Sequence, residues 1–120
     1  MKQVLVVDDS VTMRQLMKMV LMKNVSCQIT EAQDGLDALA KLKDGEFDLV
    51  VTDVNMPRMD GLGLVRSVRD VLKSTVPIII VTTKGAEADR DTGLKLGANA
   101  YLTKPINGIQ VIKTVNELLG

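Results

Sequence analysis

Acidic, hydroxyl and basic side chains recur in this sequence directly after short apolar runs. Asp8 and Asp9 follow VLVV, Asp53 follows LVVT, Thr82 and Thr83 follow IIIV, and Lys104 follows AYLT. Three carboxylates brought together repel, raising at least one pKa unless a cation sits among them. The chain has no histidine and Cys27 is its only cysteine, so a metal at such a corner would be held by oxygen alone. Carboxylates, a backbone carbonyl and water make a ligand set suited to Mg²⁺, which commonly bridges to phosphate. Lys104 and the Thr82 hydroxyl are suitable partners for further phosphoryl oxygens. A carboxylate can also be the nucleophile in phosphoryl transfer, giving an aspartyl phosphate. Positioning and charge neutralisation then carry the catalysis.

Each of these residues also has a plainer reading. Asp9 or Ser10 can cap a helix, and Asp53 can open a turn into Asn55-Met56-Pro57. Thr82 is β-branched and at home in a strand, and Lys104 can be a solvated surface lysine. Independent plain roles would not gather all of these groups at one edge, so the signal lies in their conjunction.

The elements that must position them follow from the apolar patterning. Short runs at residues 4–7, 28–31, 49–52, 78–81 and 100–103 read as strands. Three of them (VLVV, LVV, IIIV) are β-branched and nearly uninterrupted, as in parallel strands covered on both faces. Between the runs lie apolar stripes at helical spacing. The first comprises Met13, Leu16, Met17, Val20 and Leu21, and the second Leu36, Leu39 and Leu42. The third comprises Leu62, Val65 and Val68, and the last Val111, Ile112, Val115 and Leu118. Residues 86–96 are poor in large apolar side chains, so the helix there should be the least firmly packed. Met19 and Met22 fall off the first stripe and should be exposed. Gly35, Gly61, Gly85, Gly97 and Gly108 mark segment edges, and Pro57, Pro77 and Pro105 fall between elements. The pattern is (βα)5, which implies parallel strands joined by right-handed crossovers. All the polar strand-end groups then emerge at the carboxyl edge of one sheet, where open α/β sheets bind ligands.

Composition narrows the function. A chain of 120 residues is one domain by size. Fifteen basic and fifteen acidic side chains cancel, so no nucleic acid or anionic membrane is implied as a partner. A lone thiol excludes an intrachain disulfide and fits a reducing compartment. No apolar run approaches the ~20 residues of a membrane span, and the N-terminus lacks a signal-peptide pattern. The expectation is a cytoplasmic monomer.

The stretches VLVVDDS, VVTDVNMPRMDG, IIIVTT and AYLTKP resemble the motif set of the response-regulator receiver domain. The resemblance covers the whole chain, residues 1–120, and is nearest to the single-domain chemotaxis members. It implies a doubly wound, flavodoxin-like parallel sheet of strand order 2-1-3-4-5. Asp53 matches the phosphoacceptor, Asp9 the direct Mg²⁺ ligand and Asp8 a ligand acting mainly through water. Asn55 would supply its backbone carbonyl to the metal. Lys104 would pair with the phosphoryl group, Thr82 would swing to hydrogen-bond it, and Tyr101 matches an aromatic that turns inward on activation. The Lys104–Pro105 bond is usually cis in the family.

The implied donor is a histidine kinase, consistent with a chain that has no histidine of its own. With no output domain in the chain, the signal is expected to pass to another protein, for which a flagellar motor switch is the natural choice. The implied catalysis is limited to self-phosphorylation and dephosphorylation. A phosphorelay intermediate and a phosphate sink are alternatives within the same class. Thr83 stands where many relatives carry Ala or Gly, Lys84 where the chemotaxis members carry an acid, and Ser10 where a bulky residue is common. The first two are expected to tune phosphate loss, whether spontaneous or through a phosphatase. An aspartate-nucleophile phosphatase would need an acid where Asn55 stands. A flavin carrier would need aromatics to sandwich its ring, and only Phe47 and Tyr101 are present.

Overall fold

A computed structural model describes residues 1–83 and 85–120. Lys84 therefore lies outside the described residues. Among the described residues, five strands alternate with five helices. The strands are β1 (Lys2–Val7), β2 (Cys27–Ala32), β3 (Leu49–Asp53), β4 (Ile78–Thr83) and β5 (Ala100–Lys104). The helices are α1 (Val11–Asn24), α2 (Gly35–Asp44), α3 (Gly61–Asp70), α4 (Glu87–Leu96) and α5 (Gly108–Leu119). The strands form one parallel sheet in the order β2-β1-β3-β4-β5, the order that the family resemblance implies. Among the described residues, no helix is long and apolar enough to cross a membrane.

Side-chain alternation along the strands splits the core into two layers. Val4, Val6, Val51, Ile79 and Val81 face α1 and α5, packing on Met17, Leu21, Val111 and Val115. Leu5, Val7, Val50, Ile78 and Ile80 face the other way, onto Ala38, Leu64, Val65 and Val68 of α2 and α3. Both faces are covered, which is why VLVV and IIIV carry no polar residue.

Two apolar side chains of the expected stripes do not join the core. Leu16 is 37% exposed and Leu36 43%. The buried line of α1 runs through Met17 and Leu21, leaving Leu16 on its flank. In α2 Leu39 and Leu42 pack on the core as expected, while Gly35 and Ala38 take the buried positions and Leu36 turns outward. Gly35 sets that phase, because a Cβ there would lie 2.4 Å from the Met59 carbonyl oxygen. Met19 and Met22 are exposed as expected. So is the looseness of α4, whose one buried residue is Gly93 and whose N-terminus has no side-chain cap.

Register completes the scaffold. Val7 pairs with Thr52, Asp53 with Val81, Thr82 with Thr103 and Thr83 with Lys104. Strands in step across the sheet bring their last residues to one edge, which is where the polar groups stand.

Candidate functional site

Asp8 follows the last residue of β1 and is held at several of its atoms. Its N–H donates to the Ala32 carbonyl at 3.1 Å, and its Oδ1 accepts from the Ser10 N–H at 2.8 Å. Ser10 is the N-cap of α1, with its hydroxyl accepting from the Met13 N–H at 3.3 Å. The cap left open between Asp9 and Ser10 thus belongs to Ser10, and Asp9 stays exposed at the rim. Asp8 is buried, and burial raises its carboxyl pKa, with the negative charges of Asp53 and Asp9 adding to the effect. The Ser10 hydrogen bond and Lys104 pull in the opposite direction without cancelling it.

Asp53 ends β3 at 6% exposure. Its Oδ1 accepts from the Val54 N–H at 2.9 Å, and its Oδ2 lies 3.2 Å from Lys104 Nζ. The same ammonium is 3.7 Å from Asp8 Oδ2. Carboxylate oxygens of Asp8, Asp9 and Asp53 lie within 4.8 Å of one another. Among the described residues Lys104 supplies the ammonium at this corner, and a single positive charge cannot neutralise three clustered carboxylates. An all-oxygen set of this density suits a hard divalent cation such as Mg²⁺, so the residues present fit the metal that the resemblance implies.

The loop after β3 is fixed at both ends. The Gly61 N–H donates to the Val54 carbonyl at 2.8 Å. A Cβ on Gly61 would meet the Asp53 carbonyl oxygen at 2.2 Å, so only glycine lets α3 start this close to Asp53. The Gly35 N–H donates to the Met59 carbonyl at 2.9 Å. Arg58, in the left-handed region at φ 65°, donates from Nε to Asp34 Oδ2 at 2.7 Å. Asp34 also caps α2 through the Asp37 N–H, and the Arg58 hydrogen bond holds its carboxyl below the usual range. Asn55 is exposed on this loop.

The remaining expected residues surround the corner without joining it. Thr82 is buried, and its hydroxyl donates to the Leu102 carbonyl at 3.5 Å, a long bond that leaves it easily redirected. Thr83 is exposed. Tyr101 is 40% exposed, with the Arg90 guanidinium 5.1 Å from its ring centre. Between them opens a cleft of about 130 Å³ lined by Thr82, Thr83, Ala86, Arg90, Tyr101 and Thr103. The Lys104–Pro105 bond is cis. The sequence reading did not single out Arg14, Arg58, Asp34 or Arg90, whose partners lie on other elements or carry no motif.

Residues 4–116 match the family described as the response regulator receiver domain. The chain is 41% identical over 119 residues to the chemotaxis protein CheY1 of Helicobacter pylori, covering 98% of this chain and 95% of that one. It is 38% identical to the transcriptional regulatory protein ResD of Bacillus subtilis, of which it spans 48%. The structure of the chemotaxis response regulator CheY4 of Vibrio cholerae superposes with a TM-score of 0.88 at 35% identity, covering 98% of each chain. Topology, acidic corner and similarity agree: the chain belongs to the response regulator receiver domain family.

Proposed function

We propose that this chain is a phosphorylation-operated binding module in which Asp53 accepts a phosphoryl group from the histidine of a partner kinase. The observation that carries this reading is the position of Asp53, buried between two further carboxylates and an ammonium 3.2 Å from its Oδ2. In the transfer, a carboxylate oxygen of Asp53 forms the new O–P bond as the P–N bond to the kinase imidazole breaks. Asp8, Asp9, Asp53 and the Asn55 carbonyl would hold Mg²⁺, which would supply neutralisation of the negative charge that gathers during transfer. Lys104 keeps its place and exchanges the Asp53 carboxylate for a phosphoryl oxygen. The Val54 N–H keeps the acceptor carboxylate oriented.

The response follows from the neighbours. The Thr82 hydroxyl leaves its long bond to Leu102 for the phosphoryl group, and Tyr101 turns into the space beside it. The surface formed by α4, β5 and α5 then changes. Thr83 at the mouth, with Lys84, tunes how fast water or a phosphatase removes the phosphate. The match to chemotaxis proteins over nearly their whole length supports a target in chemotaxis signalling, with the flagellar motor switch as partner. Incubation with acetyl phosphate and Mg²⁺ tests the reading. It should give one acid-stable, base-labile phosphate that is absent in Asp53→Asn, and undiminished labelling of Asp53→Asn contradicts it.

A further inference from the structure

Arg14 lies one turn into α1, where its backbone N–H donates to the carbonyl of the Ser10 cap. Its side chain reaches two other elements. Nη1 donates to the backbone carbonyl of Asp8, and Nε donates to Glu31 Oε1 on β2 at 3.1 Å. Lys18, one turn further along α1, holds the other carboxylate oxygen of Glu31 at 3.3 Å. The Arg14 side chain is 14% exposed and that of Glu31 30%, so the guanidinium is shielded while its anchor is half-buried. Burial pushes the Glu31 carboxyl up, but hydrogen bonds from Arg14 and Lys18 outweigh it and hold the group below its ordinary range.

The carbonyl that Arg14 grips belongs to the peptide joining Asp8 to Asp9. Asp8 is already fixed through its N–H and its Oδ1. Clamping its carbonyl fixes the plane of the next peptide, and with it the direction in which exposed Asp9 leaves the chain. Charge alone does not explain a guanidinium here, since a cation next to an acidic corner weakens that corner for Mg²⁺. Its planar fork does, because it joins two acceptors on different elements in one geometry. The geometry points to Arg14 as a positioning residue: anchored by Glu31, it holds the Asp8–Asp9 peptide so that both carboxylates reach Asp53. This inference rests on the reading of the corner as a Mg²⁺ site.

Calorimetric titration with Mg²⁺ alone tests it, with unfolding of each variant followed in chelator. Arg14→Lys keeps the charge and loses the fork, and its dissociation constant should rise about tenfold, the effect usual for residues that orient metal ligands. Arg14→Gln should weaken binding too, although loss of a nearby cation would by itself tighten it. If both fold poorly, Lys18→Gln combined with Glu31→Gln leaves the net charge unchanged and removes the anchor, and it should weaken binding in the same direction. As a comparison, Val20→Ala trims a half-buried core contact, so it should lower the unfolding temperature and leave Mg²⁺ affinity unchanged. Wild-type affinity in Arg14→Lys, or tighter binding in Arg14→Gln, overturns the role of Arg14 while the metal site stands. Failure of the wild type to bind Mg²⁺ overturns the site reading and this inference together.

Discussion

At the scale of residues, Asp8 and Asp53 share the Lys104 ammonium, and burial disfavours Asp8 in its charged form. Its carboxyl is raised above the ordinary range, so the folded state loses stability as the pH rises through that raised value. Above that value the metal-free protein carries this cost in full. Asp8→Asn keeps an oxygen to accept the Ser10 N–H and removes the charge, so it should raise the unfolding temperature in chelator by a few degrees. The gain should shrink as the pH is lowered and the wild-type carboxyl takes up its proton. Mg²⁺ should reverse the order. A site filled at 100 times its dissociation constant stabilises the wild type by about 2.7 kcal/mol, whereas Asp8→Asn should gain much less. Thermal unfolding of both proteins with and without Mg²⁺ reads this crossover.

At the scale of elements, two glycines show which parts of the scaffold can yield. At Gly61 the wall is backbone: an added Cβ lies 2.2 Å from the Asp53 carbonyl oxygen. Gly61→Ala should therefore displace the start of α3 and cost about 1–3 kcal/mol by overpacking, and it should diminish Mg²⁺ binding because Asp53 itself is pushed. At Gly93 the wall is the tip of a side chain, Ile80 Cδ1 at 2.4 Å. There α4 is uncapped and otherwise unburied, so the helix should lift while the core stays. Alanine gains about 1 kcal/mol of helix propensity, which offsets much of the clash. Gly93→Ala should thus change global stability by less than ~1 kcal/mol while amide exchange in α4 accelerates. Arg90 on the same helix covers Tyr101, and the chain has one tyrosine and no tryptophan. Tyrosine emission therefore reports Tyr101 alone. Arg90→Ala should move the emission of the unphosphorylated protein toward that of the phosphorylated one. The Arg58–Asp34 pair that ties the β3–α3 loop to α2 titrates in the opposite sense to Asp8. Its lowered carboxyl contributes stability above the ordinary carboxylate range and loses it as the pH falls through the lowered value. Arg58→Ala should shift acid unfolding to higher pH.

At the scale of the whole molecule, one register decision places the chemistry, because parallel strands in step deliver Asp8, Asp53, Thr82 and Lys104 to the same edge. That gathering was legible in the sequence since each group follows its strand with almost no offset. The central strands were legible for a related reason: burial on both faces leaves VLVV and IIIV without polar interruption. β2 and β5 stand at the sheet edges, and their mixed exposure weakens the pattern. Spacing alone did not locate Leu16 and Leu36, because periodicity shows that a stripe exists without choosing which neighbouring position faces the sheet. The Arg14–Glu31 and Arg58–Asp34 straps were invisible because their partners are 17 and 24 residues apart and meet only after the helices dock. The strand order itself came from family resemblance, since alternation of strands and helices fits several orders. We propose that this assembly makes Asp53 a phosphoacceptor. Borohydride reduces an aspartyl phosphate to homoserine, so treating the acetyl phosphate-labelled protein with borohydride and sequencing its peptides by mass spectrometry locates the acceptor directly. Homoserine is expected at position 53, formed with Mg²⁺ and absent with chelator. Homoserine at another aspartate, or phosphate retained on a serine or threonine with Asp53 unchanged, would contradict this assignment.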